Sequence, residues 1–372
     1  MSELKTAGFG LLLALAASVS LEAVGESITD LDLRLENVRD LINQASSEGA
    51  SGVLRIAHRG EVLIEAGFGS ASCSVDEAVT PAHVFMIGSI TKEFTRILAF
   101  VLEENGQISV DQTVSQVLPD FEGPIGSVTL RQILDHTGGL PDLVDQDGRP
   151  IPYRVENDYQ PLGRDQLLAR AERVQLISQP GETEQYSNLG YQLLAATYEV
   201  ATGKTYPELL RRHVFEPANM QDAGFWFSDG KRRSFADGCL AGGRRWGNPI
   251  DDNMWDASGP SWNLAGAGGL LSTAASLAGF FEGISAGVYF DDPDQLERYK
   301  ASRMVFSNRR QQRVMGPSGS NGIFDAVAFW ADRDRFSVIL MTNRADHRGE
   351  DGLIRDILRL FPPDSFPRGN QD

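Results

Sequence analysis

The chain has 372 residues, of which 41% are hydrophobic and 23% charged, and its formal net charge is −17. This is globular composition on a chain long enough to bury a large core, which excludes a disordered or collagen-like protein. So acidic a surface repels phosphate backbones and anionic membrane faces, which argues against nucleic acid as a partner.

In chain order, Lys5 and the α-amino group precede an apolar run from Gly8 to Ala17, extended by Val19 and Leu21 and mixed with small residues such as Ser18, Ser20 and Ala23. A short positive segment, an apolar core and a small-residue exit form the pattern of a secretory signal, so residues 1–25 are expected to be a signal peptide. The run is short for a membrane span and Glu22 and Glu26 follow at once, so no stable span is expected after cleavage. An uncleaved anchor or a buried N-terminal helix is the alternative.

Residues 28–48 carry Leu31, Leu35, Val38, Leu41 and Ile42 at near-helical spacing. Two strands, Val53 to Ala57 and Val62 to Ala66, flank a turn at His58-Arg59-Gly60. Gly67 to Thr80 reads as loop. Residues 90–104 form a helix with Ile90, Phe94, Ile97, Leu98, Val101 and Leu102 on one face. Helical segments follow at Leu130 to Leu134, Arg164 to Val174, Leu189 to Thr202 and Thr205 to Val214, whereas Ser228 to Pro260 reads as long loops. Gly266 to Gly283 returns to a helical pattern after a Gly-rich turn.

The last seventy or so residues change character. Arg303 to Phe306, Arg313 to Gly316, Ile323 to Trp330 and Phe336 to Thr342 read as strands, and Gly349 to Phe361 as a closing helix. Strands at both ends and helices between them point to an α/β architecture. One sheet lobe is expected from about 26–88 and 300–372, with a helical lobe of about 89–299 inserted, in a single domain over 26–372. The two cysteines, Cys73 and Cys239, cannot build a metal site alone. They could bond in an oxidising compartment, but two separate buried thiols is the simpler reading.

Ser89 and Lys92 are three apart and so share one face of a helix. A serine hydroxyl needs a base to become a nucleophile, and a desolvated lysine can serve. The spacing alone is weak, because Ser2/Lys5 and Ser228/Lys231 repeat it. Only Ser89 follows an apolar stretch and a glycine and opens a strong helix, and the chain has only five lysines. A snorkelling surface lysine fits the spacing equally well. Tyr186-Ser187-Asn188, preceded by Pro180-Gly181, offers a phenol that can shuttle a proton and an amide that can hold both a lysine and a substrate. A core tyrosine beside a helix cap is the alternative.

The order of Phe85-Met86-Ile87-Gly88-Ser89-Ile90-Thr91-Lys92, Leu134-Asp135-His136-Thr137-Gly138-Gly139-Leu140-Pro141, Tyr186-Ser187-Asn188 and Gly266-Ala267-Gly268-Gly269-Leu270-Leu271-Ser272-Thr273 resembles the β-lactamase-related serine hydrolases. That family includes class C β-lactamases, D-alanyl-D-alanine peptidases, D-aminopeptidases and β-lactamase-like esterases, and the likeness runs from about residue 30 to 361. It implies a β-lactamase/transpeptidase-like fold with an antiparallel sheet flanked by helices. It implies Ser89 as acylated nucleophile, Lys92 and Tyr186 as the proton-handling pair and Asn188 as a substrate-positioning group, with no metal or organic cofactor. His136 and the glycines after it would support the site.

The chain departs from the resemblance where relatives carry Lys-Thr-Gly or His-x-Gly; here stand Pro317-Ser318-Gly319-Ser320. Gly319 suits close approach to a substrate, Ser318 can still donate a hydrogen bond, and the Ser320 N–H would complete an oxyanion hole with that of Ser89. Pro317 brings no charge and no N–H, and proline suits only a strand edge or start. The missing charge would ordinarily hold a substrate carboxylate; Arg309, Arg310, Arg313 or Arg344 could compensate. His347-Arg348-Gly349 reads as a chance match.

No nucleotide-binding glycine loop or zinc helix occurs. The expectation is a secreted or periplasmic hydrolase acting through an acyl-enzyme on small esters, amides or short peptides. The rival is an inactive relative that binds peptidoglycan-like ligands without turnover.

Overall fold

The computed structural model describes residues 30–152, 154, 160–225, 231–252, 261–302, 306–307, 313–332, 335–344 and 350–361. The signal-peptide expectation, Arg309, Arg310 and His347 to Gly349 lie outside the described residues.

Helix α1 spans 30–47. Strands β1 (Gly52–His58) and β2 (Glu61–Phe68) form the expected hairpin. Arg59 and Gly60 both hold positive φ, 53° and 86°, as a tight two-residue hairpin turn requires. Strand β3 (His83–Met86) leads through a one-turn segment, Gly88–Ile90, into α2 (Thr91–Glu104). Next come α3 (Val114–Val117), α4 (Leu130–Leu134), α5 (Arg164–Ala171), α6 (Asn188–Thr202) and α7 (Tyr206–Leu210). Short strands β4 (Ala223–Gly224), β5 (Ser234–Phe235), β6 (Gly238–Leu240), β7 (Arg244–Gly247) and β8 (Leu271–Ser272) precede α8 (Ala274–Ala286) and α9 (Pro293–Ala301). The chain closes with β9 (Phe306–Ser307), β10 (Arg313–Met315), β11 (Ser318–Ser320), β12 (Asp325–Ala331), β13 (Phe336–Thr342) and α10 (Glu350–Leu360).

Among the described residues the main sheet has seven strands in the order β2-β1-β13-β12-β10-β9, with β11 also on β12, and every pairing is antiparallel. The two ends of the chain therefore meet at its centre, where Gly52 stands opposite Thr342 and His58 opposite Phe336. All seven residues of β13 are buried, because both faces of the sheet are covered. Alternate residues split between two cores. Val53, Ile339 and Met341 join the core containing α2, α6 and α8, while Leu54, Ile56, Val338 and Leu340 pack with Leu35, Val38, Ile354 and Ile357 of α1 and α10.

Three readings from sequence need correction. The described part of Ser228 to Pro260 is not all loop, for it holds β5, β6 and β7, which at two to four residues are too short to show periodicity. Gly266 to Gly283 is not helical throughout, for β8 stands at Leu271–Ser272 and α8 starts only at Ala274, while helix α9 falls in a stretch that carried no assignment. Cys73 and Cys239 are a disulfide, not separate thiols, with Cα atoms 5.6 Å apart across 166 residues of sequence. The backbone brings them together: the Asp237 N–H donates to Ala71 O at 2.8 Å, two residues from each cysteine, which lays the loop after β2 over β6. No described helix is long and apolar enough to cross a membrane.

Candidate active site

The strand-to-helix junction after β3 places Ser89. Gly88 has φ 50°, and a Cβ there would stand 2.7 Å from the Ser320 nitrogen, so only glycine lets this turn lie against β11. Ser89 sits in that turn, just ahead of α2, and Lys92 is in the helix's first turn. Lys92 is 6% exposed. Its ammonium donates to Asn188 Oδ1 at 2.7 Å, to the Ala267 carbonyl at 2.7 Å and to Ser89 Oγ at 3.3 Å. Ser89 Oγ is 2.7 Å from the Tyr186 hydroxyl. The Lys92 ammonium also stands 4.7 Å from the centre of the Tyr186 ring. Ser89, Lys92, Tyr186 and Asn188 thus converge, although Tyr186 and Asn188 come from a different part of the chain.

Helix α6 explains that convergence. Ser187 is its N-cap, with Oγ accepting the Gly190 N–H at 3.0 Å and donating to Pro141 O at 2.7 Å. Pinning Ser187 fixes its two neighbours. Asn188 donates to Asp142 Oδ1 through its backbone N–H at 2.9 Å and its side-chain amide at 2.8 Å. With the amide nitrogen committed to a carboxylate, its oxygen must face Lys92. Asp142 was not singled out in the sequence, although it directly follows Leu140-Pro141; the demand of Asn188 for an acceptor was the available signal.

His136 supports Tyr186 from behind. It holds φ 56°, its Nδ1 accepts the Ser187 N–H at 3.2 Å, and its ring lies 4.7 Å from that of Tyr186 and 5.1 Å from that of Tyr191. Burial, with the cations of Lys92 and Arg96 nearby, pushes its pKa down to about 3, so it is a neutral acceptor. Burial pushes the Tyr186 phenol up to about 12, against its hydrogen bond with Ser89, and the charge of Asp142 adds to the rise. Arg96, also unread in the sequence, ties α2 to Asp135 at 2.9 Å, to Ser302 O at 2.7 Å and to the Leu134 carbonyl.

Strand β11 forms the opposite wall. Val314↔Ala331, Met315↔Trp330, Ser318↔Val327 and Gly319↔Ala326 keep one register, so β10 and β11 are a single strand interrupted at Gly316-Pro317. The Ala328 N–H donates to Pro317 O at 3.0 Å, which sets the alternation. Pro317 and Gly319 hold hydrogen-bonding positions toward β12, so the N–H groups of Ser318 and Ser320 point outward. Strand β9 flanks only β10, leaving that edge of β11 to the Gly88–Ile90 turn. A Cβ on Gly319 would overlap Ile87 O and the Ser89 nitrogen. The Ser89 and Ser320 N–H groups therefore border one space, the arrangement that holds a developing oxyanion.

That space is a cavity of about 220 Å³ lined by Ser89, Asp142, Leu143, Tyr186, Asn188 and Ser320 among others. Neither Pro317 nor Ser318 is part of its lining. Ser318 lies on the sheet face opposite Gly319. Arg344 bridges Cys239 near the disulfide, and no arginine lines the cavity among the described residues.

The family model described as Beta-lactamase matches residues 37–359. A penicillin-binding protein of Bacillus subtilis is 32% identical over 177 residues, 46% of this chain and 37% of that protein. The chain spans less than half the length of the first curated relatives it matches, at 37%, 44% and 45%. Among solved structures, a β-lactamase/D-alanine carboxypeptidase from Pseudomonas syringae shares the fold with a TM-score of 0.69 at 17% identity, covering 88% of this chain and 100% of that one. The D-amino acid amidase from Ochrobactrum anthropi does so at 0.67 and 20% identity, covering 88% and 98%. With its family match running from α1 to α10, the chain belongs to the beta-lactamase family.

Proposed function

We propose that the protein is a serine hydrolase that acts through an acyl-enzyme on Ser89. The observation that carries this is the convergence of the Tyr186 hydroxyl and the Lys92 ammonium on Ser89 Oγ, at 2.7 and 3.3 Å. As Ser89 Oγ bonds to a carbonyl carbon, its proton passes to the Tyr186–Lys92 pair, which accepts it in the form that has already given up one proton, a Tyr186 phenolate beside the Lys92 ammonium. The carbonyl electrons move onto oxygen, which the N–H groups of Ser89 and Ser320 hold. Collapse of this adduct breaks the bond to the leaving group, which takes the proton back. Water then cleaves the acyl-enzyme with the same groups acting as base. Asn188 holds Lys92 and faces the acyl chain. The uncharged Pro317 favours esters or amides that carry no carboxylate beside the scissile bond, and it argues against efficient β-lactam turnover.

A ligand-binding relative without turnover is the second reading, and Pro317 is its only support. The filled Ser89, Lys92, Tyr186 and Asn188 positions weigh against it. We also place the protein in an oxidising compartment, secreted or periplasmic. The Cys73–Cys239 disulfide and the leader-like N-terminus support this.

Intact-mass analysis after exposure to a fluorophosphonate tests the hydrolase reading. One adduct on the wild type, absent in Ser89→Ala, is expected. No adduct on folded protein would leave the ligand-binding reading.

A further inference from the structure

We propose that Asp142 is a cation subsite, so that the substrate acyl group carries an ammonium a few atoms from the scissile carbonyl. This deepens the hydrolase reading of Ser89 and rests on it. Asp142 lines the cavity, and among the lining residues described it supplies the only formal charge. Lys92 is not part of that lining and donates its ammonium to Asn188, Ala267 O and Ser89. Both bonds from Asn188 land on Asp142 Oδ1, and Oδ2 accepts none from the described residues. Orienting Asn188 needs one acceptor atom, which an asparagine would supply equally well. A carboxylate with a spare oxygen on a partly dry wall is suited to a cation.

Pro317 points the same way. The resemblance to the β-lactamase-related hydrolases implies a basic residue there, and its absence removes the charge that would hold a substrate carboxylate. Asp142 is then the one charged side chain in the described lining. Asp142 also acts on Tyr186, whose phenol its charge helps to raise. A substrate ammonium on Oδ2 offsets that charge and favours the phenolate form of Tyr186, the form that can accept the Ser89 proton, so bound substrate would itself prime the site.

The test uses matched p-nitrophenyl esters. Each ω-trimethylammonio acid, with two to four methylenes, is paired with its tert-butyl carbon isostere, which has the same shape and no charge. For at least one length the wild type is expected to show about tenfold higher kcat/KM on the cation. Asp142→Asn, which keeps an acceptor for Asn188, is expected to bring that ratio to within about twofold. The ratio is taken on one enzyme, so a general loss of activity cancels. A wild-type ratio near one at every length overturns the proposal, as does a preference that survives in the variant. If the variant does not fold, salt decides: the wild-type preference must fall as ionic strength rises, and a preference that salt leaves unmoved overturns the subsite. Absence of both turnover and fluorophosphonate adduct would instead be failure of the hydrolase reading. Calorimetric titration with the paired N-methylamides then judges the subsite. Tighter binding of the cation, lost in Asp142→Asn, supports it, and equal binding overturns it.

Discussion

Pro317 stands opposite Ala328 in the sheet, accepts its N–H at 3.0 Å and has no N–H to return. The strand keeps register across this half-made pair, at the position where the resemblance implies a basic side chain. Pro317→Ala restores the missing donor, worth about 0.5–1.5 kcal/mol, but loses the backbone restriction of proline, worth about 0.4–1 kcal/mol. Its unfolding free energy in urea is expected within about 1 kcal/mol of wild type. Pro317→Lys adds an ammonium on the face of Gly319. It should hydrolyse a chromogenic cephalosporin at least about tenfold faster than Pro317→Ala, since a hydrogen bond to a charged group contributes about 1.5–3 kcal/mol. Equal rates for the two variants would show that position 317 does not govern carboxylate recognition.

Gly319→Ala puts a methyl group against Ile87 O and the Ser89 nitrogen. The Gly88–Ile90 turn must retreat, which separates the two oxyanion donors. Ester hydrolysis is expected to fall by about a hundredfold or more, with a modest loss of stability of about 1–3 kcal/mol. Circular dichroism melts and ester kinetics on one preparation separate the two effects.

His136 links stability to acidity. Its pKa lies near 3 in the fold, against about 6.5 when unfolded. The unfolded chain therefore binds the extra proton first, and stability falls as pH drops from about 6.5 toward 3. The contribution is at most about 5 kcal/mol. Urea unfolding between pH 7 and 4 should show a steeper loss for wild type than for His136→Gln, which does not titrate. Parallel curves would remove His136 as the cause.

The Cys73–Cys239 bond closes a loop spanning 166 positions. A crosslink of that length stabilises by about 2–5 kcal/mol through the unfolded chain. A reducing agent, or the paired Cys73→Ser and Cys239→Ser substitutions, should lower the melting temperature by several degrees. Fluorophosphonate labelling at room temperature should change little, because the disulfide lies outside the Ser89 cavity. A melting temperature unchanged by reduction would count against the bond.

The hairpin, β13 and the central helices were legible because their apolar residues recur with the period of the element that forms. Strand β13 reads as one apolar run because both of its faces are covered. What escaped lacked a period or depended on distance. Helix α9 is mostly polar, with Gln295 and Tyr299 its buried residues. Strand β3 is four residues long. The disulfide depends on a loop crossing β6. At the site, Ser89 and Lys92 were legible as helix neighbours, but Tyr186 and Asn188 were so only through resemblance, since no local rule brings α6 to α2. Asp142 escaped because its partner is 46 residues away.

The adjacency of β1 and β13 also sets an order of assembly. The first hairpin emerges early in synthesis with one edge of β1 unpaired, and its partner is nearly the last strand made. At about 5–20 residues per second that edge waits on the order of tens of seconds. The wait is a period of vulnerability, because an unpaired apolar edge invites other strands. The pairing that centres the sheet is thus its slowest to arrive, and a chain held unfolded until synthesis ends avoids the hazard.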